Sequence, residues 1–283
     1  MRPSPSEEAT FRGGDAVVPY VVYGDPRAEG TIVFCNGLFH GHHAWHGIFQ
    51  DAELRKGWRL LVADYRGCGP EGCLEGADFR LQDVARDLLE VARASGSRID
   101  AVVGHSIGVQ VALWMALLEP ESVRRLALLS GSVRMEPHSR SLARGACDLL
   151  ASGADPHKVF AMVYPWFFSG PYLEKLEDLR QEFIGTYVRY NRDVRGLVKF
   201  LRAIAAETEL PARLSEIDAP VLVVSGGEDR IFPPHCQEEI AGGISASKLV
   251  KFPGCGHSAL TERSRELRPL LHELLKTPIA RVA

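Results

Sequence analysis

Hydrophobic positions along the chain fall into two kinds of run that take turns. Short apolar stretches occupy residues 17–23, 31–35, 59–64, 101–103, 126–129, 221–225 and 249–252, each the length of a strand. Several are unbroken Val, Leu, Ile and Ala, as strands covered on both faces require. Between them the spacing turns helical, with Leu81, Val84, Leu88 and Val91 on one helix face. Residues 107–118 are apolar almost all round, which predicts a deeply buried helix. Strand followed by amphipathic helix, repeated, predicts an α/β protein: a mostly parallel sheet with helices on both faces.

The alternation stops between Ser132 and about Arg213. Leu176, Leu179, Phe183, Tyr187 and Tyr190 fall at helical spacing there, and Pro156, Pro165, Pro171 and Pro211 punctuate the segment. Strand–helix alternation resumes after Pro220. The expected organisation is a core of residues 1–132 and 213–283, interrupted by a helical insertion at 133–212. Ligands of open parallel sheets bind beyond the carboxyl ends of the strands, so such an insertion would roof the site.

Composition narrows the function. Lys+Arg 33 against Asp+Glu 36 gives a net charge of -3, and the basic residues are scattered, which removes the electrostatic footprint of a nucleic-acid binder. No apolar run reaches the length needed to span a bilayer, and residues 1–10 lack the apolar stretch of a signal peptide. Six cysteines without a CxxC pair are too few for a disulfide scaffold. These features predict a soluble cytoplasmic protein, monomer or homodimer, whose partner is a small molecule rather than nucleic acid or membrane.

The candidate chemistry centres on Gly104-His105-Ser106-Ile107-Gly108. It follows a predicted strand and opens the buried helix, the context a G-x-S-x-G nucleophile elbow requires. A serine on such a turn is lifted above the sheet, and flanking glycines relieve the crowding a Cβ would create. A hydroxyl needs a base, and the base an orienting acid. Gly226-Gly227-Glu228-Asp229 follows one strand and Pro253-Gly254-Cys255-Gly256-His257 the last. Singly, Asp229 reads as a helix N-cap and His257 as a surface loop residue. Together, in the order serine, acid, histidine, they read as the hydrolase constellation.

With these residues in view, the chain resembles the α/β-hydrolase superfamily over nearly its whole length apart from the insertion, and within it small capped serine esterases, lactonases and enol-lactone hydrolases. Cys35-Asn36-Gly37-Leu38 stands where that family has His-Gly and an oxyanion residue, and Asp64-Tyr65-Arg66-Gly67-Cys68-Gly69 resembles its Asp-x-Arg-Gly-x-Gly turn. The resemblance implies an α/β-hydrolase fold, with an eight-stranded sheet and a helical cap between the sixth and seventh strands. It also implies an oxyanion hole from the N–H groups of Leu38 and Ile107. Asn36 departs from the usual histidine and changes how that loop is held. The expected activity is hydrolysis of a carboxylic ester, lactone or thioester of a small apolar acyl group through an acyl-enzyme. Ser106 is the nucleophile, His257 the base and Asp229 the orienting acid, with no cofactor and no metal. The same residues also serve carbon–carbon bond hydrolysis and perhydrolysis, and the fold is reused for small-ligand receptors. A serine elbow disfavours dehalogenase and epoxide hydrolase chemistry, which need aspartate there.

Other signals compete. Gly67-Cys68-Gly69-Pro70-Glu71-Gly72 spells G-x-G-x-x-G, but helical periodicity resumes only near Phe79, so no helix N-terminus meets a pyrophosphate and a loop is expected. His40, His42, His43 and His46 cluster without a carboxylate or cysteine at ligand spacing, which favours polar lining over a metal site. Cys68 and Cys73 read as loop thiols, and Cys255 as a weak rival nucleophile. Phe160, Tyr164, Trp166, Phe167, Phe168 and Tyr172 make the insertion rich in aromatics. Most would glue helices together, while Trp166 and Phe167 are expected to reach an apolar substrate pocket.

Overall fold

The computed structural model describes residues 3–14, 16–66, 68, 78–96, 98–190 and 194–278. Eight strands form one sheet in the order β1-β2-β4-β3-β5-β6-β7-β8. They are β1 (Glu7–Gly13), β2 (Ala16–Gly24), β3 (Gly30–Cys35), β4 (Arg59–Ala63), β5 (Arg98–His105), β6 (Leu126–Leu129), β7 (Val221–Gly226) and β8 (Ser247–Phe252). Strand β2 runs antiparallel to β1 and β4, and every other neighbouring pair is parallel.

Seven of these strands coincide with the apolar runs. The eighth, β1, spells Glu-Glu-Ala-Thr-Phe-Arg-Gly and is mostly exposed. An edge strand packs little and is kept from pairing with other chains by charge, so it carries no hydrophobic signature. In the interior, alternation is hidden inside apolar runs. Val33, Cys35, Leu61, Ala63, Leu126 and Leu128 face one cluster, and Ile32, Phe34, Leu60, Val62, Ala127 and Leu129 face the other. A period of two persists because successive side chains leave opposite faces of the sheet.

Helices α1 (Leu81–Ala94) and α2 (Gly108–Leu118) cover the first face. Nine of the eleven residues of α2, from Gly108 to Ala116, are buried, which is why its sequence shows no polar stripe. Between β6 and β7 there is no strand among the described residues. Helices α3 (Pro137–Ala151), α4 (Pro156–Val163), α5 (Arg180–Tyr190) and α6 (Val194–Ala205) occupy this stretch, and Phe160, Tyr187, Leu197 and Phe200 join the same core cluster as α1 and α2. A further tie is Trp114 of α2, whose Nε1 donates to Glu207 at 2.8 Å. The helix signal from Leu176 to Tyr190 is interrupted: a tight 3₁₀ turn at Glu177–Leu179 resets its phase, and Leu179 is left 53% exposed. Helices α7 (Pro234–Gly243) and α8 (Ser264–Lys276) follow β7 and β8. Helix α8 covers the second face with Trp45, Ile48, Phe49 and Leu54. Among the described residues no helix is long and apolar enough to cross a membrane.

Arg66, just past β4, holds α1 through both oxygens of Asp87 at 2.6 Å. Both side chains are nearly removed from solvent, so truncating one strands the other charge. Asp87→Ala is expected to cost about 3–5 kcal/mol by urea denaturation, whereas Asp25→Ala, at an exposed Arg27 pair, should stay within about 1 kcal/mol. Equal losses in the two variants would contradict this anchoring.

Candidate active site

Ser106 sits at the end of β5 with φ 57, a left-handed conformation costly for a residue with a Cβ. Its neighbours enforce it. A Cβ on Gly104 would lie 2.5 Å from the Gly108 carbonyl oxygen, and one on Gly108 would lie 2.2 Å from the Cys35 carbonyl oxygen. The two glycines let α2 start directly over the sheet, and the Ser106 N–H donates to Leu129 O at 2.9 Å. Phe39 and Ser130 also have positive φ, and both follow strand ends beside Ser106.

Asp229 follows β7 and His257 follows β8, so the parallel sheet delivers both to the same rim. His257 Nε2 lies 2.8 Å from Ser106 Oγ, and His257 Nδ1 lies 2.9 Å from Asp229 Oδ2. The other carboxylate oxygen, Oδ1, accepts the N–H groups of Ile231 at 2.8 Å and Phe232 at 2.9 Å. Asp229 is thereby fixed by its own loop, with one oxygen left for the imidazole. A neutral His257 with Nδ1–H donated to Asp229 offers its Nε2 lone pair to the Ser106 hydroxyl. All three side chains are buried. Glu228 and Asp218 point to solvent. Burial pushes the Cys255 thiol up to about 12, so it carries almost no thiolate at neutral pH.

Asn36 pins its loop through both ends of its side chain and its carbonyl. Its Nδ2 donates to Ala63 O at 3.0 Å, its Oδ1 accepts from Trp45 Nε1 at 2.8 Å, and its carbonyl accepts from Tyr65 OH at 2.8 Å. Three bonds hold the Gly37-Leu38 backbone against the elbow without a charge.

A cavity of about 40 Å³ opens on Ser106 and His257. Leu38 and Ile107 line it, with Phe39, His40, Met135, Ser139, Leu142, Ala143, Val163, Phe167, Ile231 and Phe232. Beside it runs a groove of about 370 Å³ that shares Ser139, Leu142 and Ile231 as its wall. Ser139 of α3 donates to the Ile231 carbonyl and closes that wall. Phe167 faces the inner cavity. Trp166, 43% exposed, lines the outer groove instead. Consecutive residues on a turn diverge in direction, which aromatic density alone does not reveal. Phe167 is held in place by Glu262, which accepts from Ser169 N, Ser169 Oγ and Gly256 N, while Phe167 O accepts from Ser258 N. Nothing in the sequence pattern marks Glu262, Met135 or Val163 for these roles. Ile231 and Phe232 follow from their adjacency to Asp229.

His42 stays beside His43 and His46, with ring centroids 6.4 and 6.0 Å away, but the side chains turn to other partners. Tyr23 OH bonds His42 at 2.7 Å and reaches His46 at 3.5 Å, and His43 packs at a tilt against Tyr190. His40 turns inward to the cavity, where burial, with a smaller effect from His257, holds it down to about 3, so it is neutral. Among the described residues, Glu136, His235 and Cys236 could converge on a metal ion. Glu136 caps α3 and His235 lies in the first turn of α7, and the positive ends of both helices oppose a cation there. Of the G-x-G-x-x-G stretch and Cys73, only Cys68 lies within the described residues.

Serine, acid and histidine in that chain order, each at a strand end of a sheet with this topology, define the class of α/β-hydrolases. The chain belongs to that family: the model described as "Alpha/beta hydrolase family" matches residues 32–270. Its relatives include "Putative carbamate hydrolase RutD" of Klebsiella pneumoniae subsp. pneumoniae, 28% identical over 89% of this chain and 94% of that protein. The protein of the same name from Variovorax paradoxus is 27% identical over 91% and 96%. Among solved structures, the enol-lactonase from Burkholderia xenovorans LB400 superposes with TM-score 0.85 at 21% identity, covering 95% of this chain and 100% of that one.

Asp229→Asn would leave His257 in the wrong tautomer and is expected to cost on the order of 10⁴ in kcat for p-nitrophenyl acetate. Glu228→Gln and Asp218→Asn should stay within about tenfold, since neither meets the imidazole. A crippled Glu228→Gln beside an active Asp229→Asn would reverse the assignment.

Proposed function

We propose that the protein is a serine hydrolase that cleaves a small carboxylic ester, lactone, thioester or carbamate through an acyl-enzyme. The observation that carries this reading is the buried chain from Ser106 Oγ through His257 to Asp229, opening on the 40 Å³ cavity. Ser106 Oγ attacks the carbonyl carbon as His257 Nε2 takes its proton, and Asp229 stabilises the imidazolium. The N–H groups of Leu38 and Ile107 receive the developing oxyanion, the largest electrostatic contribution in such sites. His257 then gives its proton to the leaving oxygen or sulfur. In the second half His257 takes a proton from water as its oxygen attacks the acyl carbon, and then gives that proton to the departing Ser106 Oγ, which frees the acid and restores the site.

Size and lining support the substrate class. A volume of about 40 Å³ has room for about three water-sized groups, which suits the acyl part of an acetate or carbamate. The names of the relatives, carbamate hydrolase and enol-lactonase, fall in this class. In this reading residues 133–212 are the cap. Phe167 presses on the acyl group, and Trp166 offers a surface to whatever leaves through the outer groove.

Labelling with a fluorophosphonate tests the nucleophile. Ser106→Ala should stay folded and lose both label and hydrolysis by several orders of magnitude, while persistent label, on Cys255 for example, would overturn the reading. Failure of the wild type to label, or to turn over any of a set of small esters, lactones, thioesters and carbamates, with a small ligand still bound, is the result expected of a receptor instead.

The cap makes a separate prediction. One methylene in a closed pocket discriminates by about 1–3 kcal/mol. Phe167→Ala should therefore move the acyl-length optimum of p-nitrophenyl esters upward, raising kcat/KM for butyrate over acetate by about tenfold or more. Trp166→Ala should leave that profile unchanged and alter the response to leaving-group size. An identical length profile in Phe167→Ala and wild type would reduce Phe167 to structural packing.

A further inference from the structure

We propose that Gln237 is a positioning residue for Asp229: it fixes the span between the acid's loop and the nucleophile, so that one imidazole reaches both. This role rests on Ser106, His257 and Asp229 acting as proposed above, and adds a residue to that same site.

The side chain of Gln237 is fully buried near the start of α7. A buried amide costs stability unless both of its ends find partners, and this one finds three. Nε2 donates to Gly131 O at 2.7 Å and to Phe232 O at 3.1 Å, and Oε1 accepts from Ser225 Oγ at 2.8 Å. The two carbonyls can only accept, so they fix which end of the amide is the nitrogen. The Ser225 hydroxyl, itself removed from water, fixes the other end.

Each partner belongs to a different part of the site. Ser225 lies in β7, the strand that delivers Asp229. Phe232 lies in the acid's own loop, where its N–H donates to Asp229 Oδ1 at 2.9 Å and its carbonyl turns to Gln237. Its ring stands 5.7 Å from that of His257. Gly131 lies just past β6, and a Cβ there would come within 2.9 Å of the Ser106 carbonyl oxygen, so its backbone is packed against that of the nucleophile.

Gln237 thereby closes a circuit. One path from acid to nucleophile runs through the imidazole, from Asp229 Oδ2 by way of His257 to Ser106 Oγ. The other runs through Gln237 to the backbone behind Ser106. The second path sets the gap that the imidazole must bridge, and a misplacement of about 1 Å in such a site costs on the order of 10²-fold in rate. Gln237 is sealed off from the substrate cavity, so it acts through Asp229 and not on the substrate.

The test is the rate of fluorophosphonate labelling per active site, measured across pH in wild type, Gln237→Met and Ser225→Ala. Methionine matches glutamine in length and makes none of the three bonds. Gln237→Met is expected to slow labelling about 30-fold and to move the acid limb of the profile to lower pH by about 0.5, because a loosely held carboxylate stabilises the imidazolium less. His40 and His105 also face His257, and burial keeps both neutral, so the limb reports the His257–Asp229 pair. Ser225→Ala removes only the bond that orients the amide, and should slow labelling about threefold in the same sense. It decides the question if Gln237→Met folds poorly. In an Asp229→Asn background Gln237→Met should cost less than about twofold, since the carboxylate it positions is gone. Unchanged rates per site and unchanged pH limbs, or equal losses with and without Asp229, would overturn the proposal and make Gln237 a packing residue. In that case the wild type still labels at Ser106, whereas failure of the nucleophile assignment leaves the wild type itself unlabelled there.

Discussion

The approach of helix α2 to strand β3 is the constraint on which the rest of the site depends. At Gly108 a single methyl would meet the Cys35 carbonyl, so the helix lies closer to the sheet than any side chain permits. That closeness leaves the chain no room for an ordinary turn between β5 and α2, and Ser106 takes a left-handed conformation as a result. Its hydroxyl is presented above the sheet by backbone geometry rather than by a chosen rotamer. The cost of the strained residue is offset by the interior it sits on, since nearly all of α2 is buried and burial of apolar side chains is the dominant favourable contribution to folding.

Around this fixed point, the partners are placed by hydrogen bonds rather than by packing. Asp229 is held by two amides of its own loop, Asn36 by three bonds to two other segments, and Phe167 through Glu262. The Asn36 bonds join the ends of β3 and β4, and Glu262 joins the insertion to the end of β8. A buried polar group so satisfied is stiff, because breaking any one bond leaves an unpaired atom out of water. The consequence is a site whose polar geometry is set before substrate arrives, enclosed in a small apolar cavity where electrostatic interactions are strengthened.

Much of this was legible in the chain because the relevant physics is local. The apolar runs announced seven strands, and glycine spacing around Ser106 announced the turn. Asp229 and His257 followed from their positions after strands. What escaped notice lacks a local signature. Strand β1 buries too little to show a pattern, and the 3₁₀ turn at Glu177–Leu179 breaks a helix whose apolar spacing runs straight through it. Glu262 and Ser139 act across long sequence separations, as polar residues unremarkable in their own neighbourhoods. Trp166 and Phe167 were indistinguishable as neighbours in an aromatic stretch, although one lines the outer groove and the other the inner cavity.

An acyl group that passes through Ser106 can be trapped there. The most direct measurement is to quench the wild-type enzyme in acid during turnover of a slowly deacylated ester or carbamate, digest it, and locate the adduct by mass spectrometry. One acyl or carbamoyl group per chain is expected on the peptide containing Ser106, formed together with a matching burst of released alcohol. Steady turnover with no adduct, or an adduct on a cysteine such as Cys255 or Cys68, would contradict it.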